Sequence, residues 1–437
     1  IPMIISMMLQ AVYNIVDSAF VANIKGTGEQ ALNALTLAFP VQMLMVAVGI
    51  GTGVGVNVLL ARSLGEKNHD RANRTVGNGI FLMAVIYIIF LVFGLCGTDI
   101  YISSQTTNPV IKDMANDYLR ICCCYSFGVL GFSLYEKVLQ ATGRSMYSTI
   151  AQIAGPVSNI IPDPMLIYGL LGFPKLGVAG AAYATVIGQV ISAGLVIWFL
   201  SHCKTVTIRK EHLRISRPII ARVTSLGTAP CSNQLAMMIV QIIMNKSLKY
   251  YGSLSIYGEA IPIACAGIIT KVNQVFLSLI IGISQGLQPI TSYNYGAGKY
   301  KRVKSAYLFA STCGFVIALI AFLLFQFVPR QIISIFGNGS ESYFQFSISY
   351  FRIFLFFTFI NFMQPITSNF FTSIGKPKKG TFLSLTRQIL FLLPLLIILP
   401  IFMGIDGIMY SGPIADGLAG AVAIFMVFNE FRTRPFR

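Results

Sequence analysis

The sequence predicts an all-helical integral membrane protein, with twelve transmembrane helices in two parallel six-helix lobes, and three observations predict it. Of 437 residues, 55% are hydrophobic and only 11% charged, and the mean hydropathy is +0.72. Soluble domains carry about 25% charged residues to stay solvated, so water-facing folds are excluded. Uncharged runs long enough to cross a bilayer, which takes roughly 20 residues, recur along the whole chain. The two halves also match each other at a constant offset. The net charge of +17, from 32 Lys and Arg against 15 Asp and Glu, would point to nucleic acid on a soluble protein. Here the basic residues fall between the apolar runs, so the expected partner is the lipid bilayer and not nucleic acid. Eight cysteines without regular spacing exclude a disulfide scaffold and a zinc site.

The spans are placed near 2–22, 32–58, 77–97, 115–139, 147–169, 177–200, 222–250, 261–293, 305–328, 342–372, 380–402 and 410–431. These runs are too long, and alternate too little, to be strands. The series Gly49, Gly51, Gly53, Gly55 lies inside the second span with no strand before it. It therefore reads as close helix packing or a bend, not as a nucleotide loop. Cys122, Cys123 and Cys124 are consecutive on a helix and cannot all face one metal; they read as apolar filler.

Orientation follows from the basic residues. One set of loops holds Arg62, Lys67, Arg71 and Arg74, then Lys137 and Arg144, then Lys204 through Arg222, then Lys299 through Lys304, then Lys376 through Lys379, then Arg432 through Arg437. The alternate loops and their helix ends hold only Lys25, Lys112, Arg120, Lys175, Lys246, Lys249 and Arg330. The positive-inside rule puts the first set and both termini in the cytoplasm.

A fixed offset relates the halves. A shift of 231 pairs Gly51 with Gly282, Gly55 with Gly286 and Arg71 with Arg302. A shift of 232 pairs Tyr118 with Tyr350, Arg120 with Arg352, Gly143 with Gly375 and Pro162 with Pro394. Six spans per repeat is an even number, so both halves enter the membrane from the same side. The expected domains are a first lobe at 1–200, a basic cytoplasmic linker at 201–221 and a second lobe at 222–437. In transporters built from parallel repeats the substrate path runs between the halves near the midplane.

The halves differ where chemistry would sit. Asn159 corresponds to Phe391 and Asp163 to Leu395. A carboxylate at a helix centre costs about 2.5–3.5 kcal/mol to insert, so Asp17 and Asp163 need a reason. Tyr13 precedes Asp17 by one turn, and Asn159 precedes Asp163 in the same way, on a common helix face. Pro156, Pro162 and Pro164 surround the second pair, each removing a backbone donor and freeing a carbonyl to face a cavity or an ion. An ion site is therefore expected here; the bland reading is that the acids brace helix ends. Asp416, Lys271 and Arg387 are further charged candidates for lining a cavity, weighed evenly against bracing and snorkelling. Glu136 neighbours Lys137 and is expected to pair locally. His69, His202 and His212 lie in loops and form no metal or triad pattern. No catalytic set is expected, and no metal centre apart from the ion site at Asp17, Asn159 and Asp163, whose oxygens suit Na⁺ and H⁺ alike.

Seven segments together carry a resemblance: LQAVYNIVDSAFV (9–21), LLARSLGEKN (59–68), LQATGR (139–144), PVSNIIPDPMLIYG (156–169), GVAGAAYAT (177–185), ISQGLQPITSYNYGAGK (283–299) and GPIAD (412–416). Over nearly its whole length the chain resembles the prokaryotic multidrug and toxic compound extrusion (MATE) transporters. The resemblance implies a V-shaped pair of lobes in the cytoplasmic membrane of a prokaryote, exporting organic cations in exchange for Na⁺ or H⁺. It also implies a coupling-cation cluster at Tyr13, Asp17, Asn159 and Asp163, with Thr185 as a fifth member, and no other cofactor. Two departures are Ala22, where a glycine commonly follows, and Pro162, where an aliphatic residue is usual.

The leading reading is thus a monomeric, cation-coupled exporter of amphipathic organic cations. The alternative is a lipid-linked oligosaccharide flippase of related architecture. A flippase for anionic headgroups should line its cavity with several cations, and only Lys271 and Arg387 are candidates. An enzyme would need a convergent nucleophile, base or metal set, and a channel a symmetric pore motif; neither pattern is present in the sequence.

Overall fold

The computed structural model describes residues 2–10, 28–258, 260–336, 341–433 and 436, which are mainly helical and contain no strand. They divide into two compact units, residues 2–231 and 232–437. In the first, residues 2–10 are helical and are followed by α1 (Gly28–Gly65), α2 (His69–Cys96), a short helix Thr98–Gln105, α3 (Pro109–Cys124), α4 (Phe127–Ala141), α5 (Ser145–Ile160), α6 (Pro162–Tyr168) and α7 (Val178–Ser201). Next come α8 (Arg217–Ser253), α9 (Ala260–Gly296), α10 (Tyr300–Phe327), a short helix Pro329–Phe336, α11 (Glu341–Phe354) and α12 (Met363–Ser373). The chain ends with α13 (Pro377–Leu385), a π-helical turn Thr386–Leu392, α14 (Leu393–Met403) and α15 (Ile405–Arg432).

The described parts of the twelve predicted spans are mostly helix. Among the described residues, seven helices are long and apolar enough to cross a membrane unaided, and α3 with α4, bent by 44°, makes an eighth as a pair. The remaining spans differ for local reasons. That at 2–22 is described only to residue 10. That at 147–169 is split where Pro162 and Pro164 interrupt the i to i−4 ladder. Turns at 355–362 separate α11 from α12. The long α8 carries Thr228, Asn233, Gln234, Gln241 and Asn245, which lower its hydropathy.

Alternate glycines of α1 seat two neighbours. A Cβ on Gly53 would lie 2.6 Å from the Ser133 carbonyl oxygen of α4, and one on Gly51 would lie 2.8 Å from the Gly227 carbonyl oxygen of α8. The second contact explains why the first turns of α8 belong to the same compact unit as α1. Large alkyl side chains cover the lipid-ward faces: Ile88, Ile89 and Val92 on α2 are exposed. In the second unit an aromatic core gathers Tyr307, Phe370, Phe431 and Phe436.

The repeat is visible in the backbone. Gly143 and Gly375, paired by the shift of 232, adopt left-handed φ values of 81° and 80°. Each ends its helix in the same way. The N–H groups of Gly143 and Arg144 donate to the carbonyls of Gln140 and Leu139, and those of Gly375 and Lys376 donate to Thr372 and Phe371.

Candidate ion-coupling site

The site in the first unit is built on the broken α5–α6 helix. Proline has no N–H, so Pro156, Pro162 and Pro164 leave the carbonyls of Gln152, Ser158 and Ile160 without their helical partners. Asn159 sits in the last turn of α5 at 2% exposure, and Asp163 in the first turn of α6 at 0%. A carboxylate so far from water has its charge stabilised only by bound groups or by an ion.

Close packing of α7 fixes the depth of this pair. A Cβ on Gly180 would lie 2.4 Å from the Leu166 carbonyl oxygen, and one on Gly188 would lie 2.7 Å from the Gly155 carbonyl oxygen and 3.1 Å from Asn159 Cβ. Ser192 Oγ donates to the Ala151 carbonyl at 2.8 Å. Thr185, half-buried, lies on this same helix. The structure thus places Asn159, Asp163 and Thr185 on adjoining helices of one unit. Tyr13 and Asp17 lie outside the described residues.

The second unit carries charge differently. The Arg387 guanidinium, on the π-helical turn, forms an ion pair with the Asp416 carboxylate on α15. Both side chains are largely buried. Lys271, on α9, is exposed. Near the end of α15 the buried Glu430 carboxylate accepts from Lys379 Nζ at 2.7 Å and also pairs with Lys376.

A third polar group is only half legible in the sequence. Glu136 and Lys137 do neighbour each other, but Lys137 Nζ lies 4.0 Å from Glu136 Oε2, and Gln140 joins them. Lys137 donates to Gln140 Oε1 at 3.0 Å, and Gln140 Nε2 donates to Glu136 Oε1 at 2.8 Å. The signal in the sequence is the i, i+4 spacing of Glu136 and Gln140 inside an apolar run. Among the described residues, no group of three or more His, Cys, Asp or Glu is arranged to hold a metal ion.

A family model described as MatE matches residues 2–165 and 232–398, two stretches separated by nearly the internal offset. The chain belongs to the MatE family. Multidrug export proteins and solved MATE structures match almost its whole length. Multidrug export protein MepA of Staphylococcus aureus (strain bovine RF122 / ET3-1) is 22% identical over 431 residues, covering 98% of this chain and 92% of the relative. MepA of Staphylococcus haemolyticus (strain JCSC1435) is 23% identical over the same shares. A crystal structure of a MATE in complex with MaL6 superposes with a TM-score of 0.90 at 23% identity, over 99% of this chain and 94% of the other. The MATE multidrug transporter DinF-BH gives 0.88 at 27% identity, over 98% and 94%. This protein is accordingly a multi-pass membrane transporter of the MATE multidrug efflux family.

Proposed function

We propose that this MATE protein exports amphipathic organic cations from the cytoplasm by alternating access, in exchange for Na⁺ or H⁺. It acts as a monomer in the cytoplasmic membrane, with both termini inside. The observation that carries the reading is the fully buried Asp163 beside Asn159 on a proline-broken membrane helix, opposite the close-packed helix that bears Thr185. Tyr13 and Asp17 complete the cluster in this reading. A carboxylate held there either takes a proton or holds a cation, and each outcome changes the charge of the unit by one. That change biases a two-state equilibrium by whatever differential affinity the two states have for the ion. The names of relatives support the class of substrate: MepA is a multidrug export protein, and DinF-BH a multidrug transporter.

The flippase reading loses support from the second unit. Arg387 is consumed by Asp416, which leaves Lys271 as the remaining candidate cation for an anionic headgroup.

The test is dye efflux from proteoliposomes under an imposed Na⁺ gradient, and separately under an imposed pH gradient. Wild type is expected to expel a cationic dye under one of them. Asp163→Asn keeps the side-chain shape and relieves a desolvation cost, so it should insert and bind dye yet fail to concentrate it. Leu395→Ala, at the matching place in the second unit, should leave coupling intact. Wild-type transport by Asp163→Asn would make the buried acid structural and defeat the proposal.

A further inference from the structure

Among the described residues of the first unit two carboxylates are buried, Asp163 and Glu136, and one buried polar helix face runs between them. Along α5 and α6, Ser148, Gln152, Asn159 and Asp163 recur at helical spacing on one side. All four are buried, at 1%, 9%, 2% and 0% exposure. The opposite side of the same helix exposes Met146, Ile150, Val157 and Ile160. A helix that turns its polar residues inward and its alkyl residues outward is arranged to keep a polar line away from lipid.

At the Ser148 end this face meets the Glu136 cluster. Gln140 Nε2, which donates to Glu136, also reaches Ser148 Oγ at 3.4 Å. Lys137 is the charged group acting on Glu136 among the described residues. A neighbouring oxygen, Asn57 Oδ1, whose amide nitrogen donates to the Lys137 carbonyl at 2.8 Å, is buried without a hydrogen-bond partner among the described residues. Buried polar oxygens of this kind are the usual anchors of internal water.

The second unit is a built-in comparison. Under the shift of 232, Glu136 becomes Ser368, Lys137 becomes Asn369, Ser148 becomes Gly380, Asn159 becomes Phe391 and Asp163 becomes Leu395. Both ionisable ends lose their charge together and Asn159 gives way to an aromatic ring, while Gln152 keeps only a serine, Ser384.

We infer that this face is a proton path, joining Asp163 to Glu136, and that Glu136 is the carboxylate exchanging the proton with the cytoplasm. The inference rests on the proposed role of Asp163 in coupling and goes further, by selecting the proton as the coupling ion. A proton leaves the Asp163 carboxyl group, which becomes a carboxylate. Water held by Asn159, Gln152 and Ser148 carries it along the face to the Glu136 carboxylate. Glu136 then releases it to cytoplasmic water and is left ionised beside Lys137. One proton moves and no other bond changes. A file of hydroxyl, amide and carboxyl groups along one helix face suits a proton, whereas Na⁺ would need oxygen ligands on every side at each step.

The experiment uses the full chain in proteoliposomes with ethidium as cargo and a pH-reporting dye in the lumen, comparing wild type with Glu136→Gln, Gln152→Leu and Ser384→Ala. Ser384 is the second-unit counterpart of Gln152. Glu136→Gln and Gln152→Leu should bind ethidium like wild type, yet slow both pH-driven efflux and its proton flux by roughly tenfold or more. Their residual flux should show a larger solvent deuterium isotope effect than wild type, which a merely structural role would not produce. Ser384→Ala should match wild type. Wild-type proton flux in both first-unit variants overturns the path. Loss of ethidium binding in one leaves the other to decide, and loss in both makes the face structural and overturns it too. Wild type driven by Na⁺ alone overturns the path and leaves the exporter standing; no efflux under either gradient overturns the exporter itself.

Discussion

Arg387 and Asp416 form a buried ion pair at two positions whose counterparts in the first unit, under the shift of 232, are Gly155 and Ala184. The two units therefore use the same pair of helices for opposite purposes. In the first, small residues let α7 close on α5, beside a buried acid. In the second, a π-helical turn re-aims an arginine to neutralise the acid.

Breaking that pair should be costly, and replacing it cheap. Arg387→Ala leaves a buried carboxylate without its counter-ion, and Asp416→Ala leaves a buried guanidinium; each is expected to lose about 3–5 kcal/mol of stability. The double variant Arg387→Met with Asp416→Leu should recover most of the loss. Thermal unfolding of the three proteins in detergent checks this, and a double variant as unstable as the singles would contradict it.

Helix contact at Gly188 should govern the geometry of the coupling site. A larger side chain there meets the Gly155 carbonyl and Asn159, so α7 must move outward. Gly188→Leu is expected to cost about 1–3 kcal/mol and to weaken coupling while the protein still inserts. The comparison of unfolding temperature with dye accumulation measures the two effects separately.

The left-handed turns give a paired prediction. No atom lies within 4 Å of a Cβ built on Gly143, so Gly143→Ala should cost about 1–2 kcal/mol through backbone strain alone. At Lys67, with φ of 60°, the second unit has Gly298 with φ of 71°. Lys67→Gly relieves similar strain, but glycine's greater freedom in the unfolded chain offsets part of it. Stabilisation by less than about 1 kcal/mol is the expected result in urea or thermal unfolding.

A pH dependence follows from Cys203, just beyond α7. Burial pushes its thiol up, but hydrogen bonding by the Thr205 backbone and side chain, the charge of Arg144 and hydrogen bonding by Thr142 outweigh that and hold it below the ordinary thiol range. A group held low in the folded state contributes stability above its unfolded value, about 8.5 for a thiol, and loses it as pH falls through the folded value. Cys203→Ala should therefore flatten the rise in unfolding temperature as pH is raised from neutral toward the unfolded thiol value. An unchanged slope would show that the thiol does not titrate differently on folding.

Much of the architecture is legible along the chain. Gly143 and Gly375 stand in register in the sequence alone, and they cap their helices identically. Asn159 and Asp163 are legible because a polar pair at one-turn spacing among prolines is conspicuous in an apolar run. The partner of Asp416 is not legible, since Arg387 lies 29 residues away. Nor is the clamp of Lys376 and Lys379 on Glu430, which closes over separations of 54 and 51 residues.

By itself the sequence determined that this chain lives in a membrane, where most of its helices run, that its halves repeat and which half carries the Asn159 and Asp163 pair. These follow from hydropathy, spacing and offset, which are properties of the chain read in order. Only the tertiary structure decided that Arg387 neutralises Asp416, that Gln140 joins Glu136 to Ser148 and that the polar side of α5 faces inward. Those outcomes depend on how far each helix is rotated and how deeply it sits against its neighbours. Glycine contacts set that rotation and depth, as at Gly51 with Gly227 and Gly188 with Gly155, where two backbones meet that are far apart in sequence.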